Sequence, residues 1–142
     1  METDAGLEGK GGCEGESSKV QAAVSFFGPT DLLAKDLPEA SLGVLKEFLG
    51  GTAVEKKDEY RAASPVTHVS AGDAPLLILQ GTKDPLIPSS QAYTLVDALT
   101  KAGVRARCEL LVGAGHGWGE PDISRTINET YEFFNTEFRS IK

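Results

Sequence analysis

The stretch APLLILQGTKDPLIP, residues 74–88, decides the fold. Its first part, 74–81, is an apolar run with the length of a strand buried on both faces, and the glycine and prolines after it indicate a loop. Beyond the loop, Ser89 or Ser90 can cap a helix that ends at Gly103. The order strand, loop, helix is the unit from which parallel sheets are built.

Similar patterns lie on both sides of this unit. The run VQAAVSFFG at 20–28 and the run VRARCELLVG at 104–113 both predict strands. Short helices are predicted at 42–49 and 57–62, and a longer one begins at Asp122. The last helix carries an apolar stripe of Ile123, Ile127, Tyr131, Phe134 and Phe138. Strands that alternate with helices pair in parallel, so we predict an α/β fold with a mainly parallel sheet of about three strands and flanking helices.

The domain organisation follows from length and composition. The chain has 142 residues, of which 40% are hydrophobic, and this suits one domain. Residues 1–19 are rich in glycine and poor in apolar side chains, which predicts a flexible arm before a domain at 20–142. Three strands make a small sheet, and the first has no earlier strand to pair with. We therefore expect part of a larger fold.

Charge and cysteine content exclude several classes of function. The net charge is -7, and no basic run is longer than Lys56-Lys57, so we expect no binding to nucleic acid. Cys13 and Cys108 form no CxxC pair, which predicts free thiols and neither a metal site nor a disulfide framework. The chain lacks a signal-peptide pattern and a run of about 18 apolar residues, which predicts a soluble cytoplasmic protein without a membrane partner.

Two polar residues follow neighbouring predicted strands. Asp84 lies three residues after the strand at 74–81, and His116 lies about three residues after the strand at 104–113, within LLVGAGHGWGE. The carboxyl ends of parallel strands meet at one sheet edge, so the two side chains can meet there. A carboxylate bonded to one imidazole nitrogen fixes the tautomer and leaves the other nitrogen as a general base.

Structural interpretations stand beside this one. His116 could be a surface histidine of a glycine-rich connection, and Asp84 could be a turn residue before Pro85. Their joint placement after neighbouring strands favours the functional interpretation. His68 has no such partner and is predicted to be structural or on the surface, whereas Trp118 and the turn at Ser64 are predicted to be structural.

The glycine loop also invites a comparison with the dinucleotide fingerprint GxGxxG. The register fails, because the sixth position is Trp118 when the motif starts at Gly113 and Glu120 when it starts at Gly115. HGWG also differs from the HGGG oxyanion motif of lipases, since no GxSxG follows it. We therefore predict no nucleotide and no other cofactor.

Taken together, the segment from Ser64 to Gly119 and the run at 20–32 resemble the C-terminal half of α/β-hydrolases. The nearest groups are acyl esterases, feruloyl or acetyl-xylan esterases, and prolyl-oligopeptidase-like enzymes. In these groups HGxxDxxVP carries the catalytic acid and GxGHG the catalytic histidine, which correspond here to QGTKDPLIP and GAGHG. The resemblance implies a three-layer hydrolase sheet and assigns the catalytic acid to Asp84 and the catalytic base to His116.

The chain departs from the family pattern at two points. Gln80 stands where the motif has histidine, which implies a changed hydrogen bond behind the site. The family also places a GxSxG nucleophile elbow before the matched segment, and this chain contains no GxSxG; GESSK around Ser17 comes nearest but ends in lysine.

The resemblance implies a serine-type hydrolase of carboxylic esters, present as a C-terminal half that is poorly active or inactive alone. Two alternatives remain: an oligopeptidase-type serine peptidase fragment and a non-catalytic α/β module that self-associates. The expected partners are a small ester or acylated substrate and either a second copy or a complementing N-terminal half. The first strand, around Val20 to Phe27, would form that contact, because it exposes unpaired backbone and apolar side chains.

Overall fold

The computed structural model of the protein describes residues 11–13 and 15–139. Three strands and four α-helices alternate along them, with a 3₁₀ turn at Pro65–His68. The elements are β1 (Ala23–Phe26), α1 (Glu39–Leu49), α2 (Lys57–Ala62), β2 (Leu76–Gly81), α3 (Ser89–Lys101), β3 (Ala106–Leu111) and α4 (Asp122–Arg139).

The strands form one parallel sheet in the order β1-β2-β3. β2 lies in the centre, and its residues from Leu77 to Gly81 are all buried, as expected for a parallel strand covered on both faces. Gly81 pairs with Leu111, so β2 and β3 end level at the carboxyl edge of the sheet. The loops that follow the two strands therefore start side by side.

Helices cover both faces of the sheet and make three layers. On one face, Ile78 packs against Leu95 and Leu99 of α3. On the other face, Leu77 and Leu79 pack with Phe133 of α4. Because side chains alternate along a strand, consecutive residues of β2 supply the two cores in turn.

A separate apolar cluster lies beneath α1 and α2. Tyr60 is its most buried member, and it packs with Leu32, Leu37 and Leu45. Next to it, the buried Ser64 hydroxyl donates to the Tyr60 carbonyl and accepts from the Leu32 backbone N–H. This cluster holds the long connection between β1 and β2 against the body of the domain.

The predicted fold class is confirmed: three parallel strands with flanking helices form one sheet. The predicted cap of α3 is wrong, because neither Ser89 nor Ser90 caps the helix. The N-cap position belongs to Pro88 in extended conformation, and the Ser90 hydroxyl donates to the Asp36 carboxylate instead. The predicted arm at 1–19 lies largely outside the described residues, and 11–13 and 15–19 are exposed.

The predicted apolar stripe of α4 exists but does not face the sheet. Thr126, Phe133 and Glu137 face inward, whereas Tyr131 is 67% exposed and Phe138 is 51% exposed. Phe134 stacks on Phe138, with ring centroids 5.7 Å apart. The outer face of α4 is therefore apolar without a covering element among the described residues.

No helix in the described part of the chain combines the length and the apolar character needed to cross a membrane.

Candidate active site

Gly81 allows the loops after β2 and β3 to cross closely. A Cβ on Gly81 would lie 2.3 Å from the Gly115 carbonyl oxygen and 2.5 Å from the Ala114 carbonyl oxygen. Only a residue without a side chain leaves room for this backbone. Across the contact, the Lys83 N–H donates to the Ala114 carbonyl at 2.9 Å, and the Gly113 N–H donates to the Thr82 hydroxyl at 2.9 Å.

Asp84 is held in the first of these loops by the backbone of the loop itself. Its side chain is fully buried, and its Oδ1 accepts the N–H groups of Leu86 and Ile87 at 2.8 and 2.9 Å. Burial raises the pKa of this carboxyl, but the hydrogen bonds from Ile87, Leu86 and His116 outweigh burial and hold the pKa below its ordinary value. Asp84 is therefore an ionised carboxylate at neutral pH.

His116 meets this carboxylate from the second loop. Its Nδ1 lies 2.9 Å from Asp84 Oδ2, and because an ionised carboxylate only accepts, Nδ1 donates. The neutral imidazole consequently carries its proton on Nδ1 and offers the lone pair of Nε2. The side chain of His116 is 34% exposed, so a reacting group can reach the ring.

One aromatic ring, that of Phe27, packs beside the histidine, and the rings of Phe26 and Trp118 pack against Phe27. The ring centroid of Phe27 lies 4.4 Å from that of His116, and Trp118 lies 5.4 Å from Phe27 and 6.0 Å from Phe26. The backbone of Phe27 has φ 46°, a value that residues other than glycine and asparagine rarely adopt.

The structure thus brings together the two residues that the sequence singled out, Asp84 and His116. Their catalytic role stays a prediction. Sequence reasoning missed Gly81 and Phe27, although Gly81 ends an apolar strand and so carried a weak signal for a close backbone approach. It also missed Ser41, whose hydroxyl fastens α1 to the Leu86 carbonyl at 2.6 Å.

The residues predicted to be structural lie away from the pair or pack behind it. His68 Nε2 lies 2.7 Å from the Ala62 carbonyl oxygen, which can only accept, so His68 carries its proton on Nε2. The Trp118 ring packs on the core under α4, and its Nε1–H donates to the buried Thr126 hydroxyl at 2.9 Å.

The nucleophile and a metal are the remaining parts that a hydrolase could use. Within residues 11–13 and 15–139, Nε2 of His116 has no hydrogen-bond partner, and no group of three metal-ligating side chains is placed to hold an ion. The buried Ser64 and Ser41 hydroxyls bond to other backbone carbonyls. Among these residues the site therefore consists of a carboxylate and an imidazole in contact, and no hydroxyl or metal ligand group is placed at the free nitrogen of the imidazole.

A concave surface lies at the end of the sheet opposite to Asp84 and His116. It encloses about 300 Å³ between the first residues of β2 and β3 and the C-terminal half of α4. Both of its arginines are paired with carboxylates, Arg105 with Glu137 and Arg107 with Glu129, and Glu132 lines it as well. This groove presents no unpaired arginine to a ligand and lies far from His116.

Comparisons with known proteins identify the family of the chain. The BD-FAE family model matches residues 2–99. Esterase LipQ of Mycobacterium tuberculosis is 34% identical over 94 residues, which cover 65% of this chain and 22% of LipQ. Dipeptidyl peptidase family member 6 of Caenorhabditis elegans is 26% identical over 118 residues, which cover 78% of this chain and 16% of that protein.

Among solved structures, the thermophilic esterase Est2 of the planctomycete Thermogutta terrifontis, with propionate bound, superposes with a TM-score of 0.70 at 29% identity. The match covers 92% of this chain and 47% of Est2, so the chain spans about half of that esterase. The family model thus matches more than half of the chain, and the sheet is shared with Est2. The chain belongs to the BD-FAE family, and its sheet is part of the fold of the α/β-hydrolase esterases.

Proposed function

We propose that the chain supplies the acid and base of a serine hydrolase that cleaves carboxylic esters. The observation that carries this proposal is the 2.9 Å contact between His116 Nδ1 and the buried carboxylate of Asp84 at the carboxyl edge of the sheet. The similarity to LipQ and to Est2, both described as esterases, supports ester cleavage over other hydrolytic reactions.

In the proposed reaction, the geometry supports a separate role for each group. His116 Nε2 takes the proton from a serine hydroxyl as its oxygen attacks the ester carbonyl carbon. The resulting imidazolium is stabilised by Asp84, which stays ionised and keeps the ring oriented. His116 then gives the proton to the leaving alcohol, and a water molecule, deprotonated in the same way, releases the acid and restores the serine.

In this proposal the attacking serine and the oxyanion donors come from other polypeptide, because the sequence contains no GxSxG. We propose that a complementing N-terminal half, in cis or as a separate chain, pairs with the free edge of β1. Within the described residues β1 pairs only with β2, and Phe26 beside this edge is 37% exposed. The exposed stripe of α4 is the second surface that such a half would cover.

A second copy of the chain is the alternative occupant of the β1 edge, and it would make a non-catalytic, self-associating module. We favour the complementing half because a second copy would bring another Asp84 and His116 but no elbow serine. Free thiols at Cys13 and Cys108 fit a reducing compartment, and we propose a cytoplasmic location.

Peptide cleavage is the second candidate reaction, and the similarity to dipeptidyl peptidase family member 6 supports it. An acid and a base of this geometry serve both ester and amide hydrolysis, because the same proton transfers occur in both. The serine half and its pocket would decide between the two. The lower identity to the peptidase, 26% against 34% for LipQ, favours the ester.

The reactivity of the imidazole tests the proposal on the chain alone, because the chain has two histidines that can be changed separately. We expect purified protein to release nitrophenol slowly from p-nitrophenyl acetate, to lose this activity in His116→Gln, and to keep it in His68→Gln. A serine-directed phosphonate should not label the protein. Equal rates in the two variants would contradict the role of His116. Stoichiometric labelling with a kcat near the enzyme median of about 10 s⁻¹ would show that the chain holds its own nucleophile.

A further inference from the structure

Gln80 is a buried polar residue directly behind the acid. It is the residue before the end of β2, its side chain is fully buried, and it points toward the loop that carries Asp84. Its Nε2 lies 2.9 Å from the Ile87 carbonyl oxygen, 3.2 Å from Asp84 Oδ2 and 3.2 Å from the Gly81 carbonyl oxygen. All three neighbours are acceptors, so only the NH₂ group of the amide can face them.

The two oxygens of Asp84 have different partners. Oδ1 accepts two backbone N–H groups, from Leu86 and Ile87, so the loop fixes that end of the carboxylate. Oδ2 accepts from Gln80 Nε2 and from His116 Nδ1. Gln80 therefore donates to the same oxygen that orients the histidine, on the side that the loop backbone does not reach.

The oxygen of the same amide makes Gln80 unfavourable for stability. Its Oε1 is buried and has no hydrogen-bond partner in the part of the chain that the structure describes. A buried acceptor left unpaired destabilises a fold, and an apolar side chain of similar size would avoid this cost. The position retains an amide in spite of that cost, which points to a use for its donor.

We infer that Gln80 is a positioning residue that fixes the rotation of the Asp84 carboxylate, so that Oδ2 receives the Nδ1–H of His116. This inference rests on the proposed function, because it matters only if His116 acts through its Nε2. Gln80 touches neither substrate nor the reacting atoms. It acts through Asp84, and its effect is read at the histidine ring.

The test uses nitrogen-15 NMR of the imidazole side chains in the whole chain at neutral pH. Gln80→Leu keeps the approximate size of the side chain but removes the donor. We expect the ratio of the Nδ1–H tautomer of His116 to the Nε2–H tautomer to fall roughly two- to tenfold, because one hydrogen bond supports a difference of that range. Exchange of the Nδ1 proton with water should accelerate. Gln80→His, which can present a ring N–H to Oδ2, should restore both signals.

The matched control is Gln91→Leu, because Gln91 is also buried and binds backbone through its amide, at the N–H groups of Thr30 and Asp31. It should lower the melting temperature without changing the His116 tautomer. A Gln80→Leu variant with the wild-type tautomer would overturn the inference, and so would an equal tautomer change in Gln91→Leu. If the wild-type ring itself carried its proton on Nε2, the proposed acid–base pair would fail before the role of Gln80 was in question.

Discussion

The loops that carry the acid and the base are built in opposite ways. In the acid loop, residues 82–88, the Asp84 carboxylate binds two N–H groups of its own loop and is fully buried. The histidine loop, residues 112–118, is rich in glycine, and its histidine is one-third exposed. It is positioned by contacts with the neighbouring loop: its backbone packs directly over Gly81, and His116 contacts Asp84.

This difference separates two tasks of the site. The Asp84 carboxylate is held by its own loop, so in the proposed reaction it can act as a fixed reference for the imidazole ring. In the proposed reaction His116 accepts a proton on one side while it keeps Asp84 on the other, and its partial exposure permits that approach. Damage to the acid loop should therefore appear as lost stability, whereas damage to the histidine loop should appear as a lost contact.

The largest effect is expected where the two loops cross. Gly81→Ala places a Cβ against two backbone carbonyls, which cannot move aside as a flexible side chain could. We expect the free energy of unfolding to fall by about 3 kcal/mol or more and His116 to separate from Asp84. Urea unfolding and the NMR signal of the His116 ring measure the two effects.

Gly115→Ala is the matched control in the histidine loop. The nearest atom to its added Cβ is the Lys83 carbonyl oxygen at 4.0 Å, so the side chain enters open space. We expect the free energy of unfolding to change by less than about 0.5 kcal/mol and the contact between Asp84 and His116 to stay intact. Equal effects of the two alanines would show that the loops do not cross as described.

The acid itself is expected to give the next largest effect, with a defined pH dependence. Since the pKa of Asp84 is lower in the folded chain than its ordinary value near 3.9, its stabilisation is present above about pH 4 and is lost as the pH falls through the folded pKa. Asp84→Asn should reduce the unfolding free energy at pH 7 by about 1.5–3 kcal/mol, and this difference should shrink toward pH 3.

Asp97→Asn serves as the control for this pH series. It removes an exposed ion pair with Lys101 on α3, which is expected to contribute less than about 0.5 kcal/mol. A difference between Asp84→Asn and wild type that did not shrink on acidification would mean that the carboxylate is not held ionised by the loop.

The smallest expected effect concerns the support of the acid loop by α1. Ser41→Ala removes the hydroxyl that donates to the Leu86 carbonyl, and we expect a loss of about 1 kcal/mol with the His116 contact unchanged. Ser90→Ala removes an exposed hydroxyl that donates to Asp36 and should cost less. Thermal unfolding of both variants distinguishes an anchored acid loop from a freely moving one.

The parts of the fold that follow from local pattern were predictable from the sequence. The apolar run that became β2 and the spacing that became α3 and α4 specify strands and helices through period and length, and strand order follows from parallel crossovers. The meeting of Asp84 with His116 also followed, because level strand ends bring their loops together.

Features that depend on three-dimensional neighbours were not predictable in the same way. The serines predicted as caps are the first residues of α3, and the Ser90 hydroxyl donates to Asp36, more than fifty positions away. The stripe on α4 looks like a core face, yet the sheet is covered through Phe133 and Thr126, one position away from members of the stripe. Periodicity shows that a face is apolar but not which surface covers it.

The most direct test of the account compares the two histidines of the wild-type chain in one nitrogen-15 NMR spectrum. His116 donates through Nδ1 to Asp84 and His68 donates through Nε2 to the Ala62 carbonyl, so the neutral rings should be opposite tautomers. We predict a proton on Nδ1 of His116 and on Nε2 of His68. A His116 ring that carries its proton on Nε2 would leave no free base for a serine and would contradict the proposed acid–base pair.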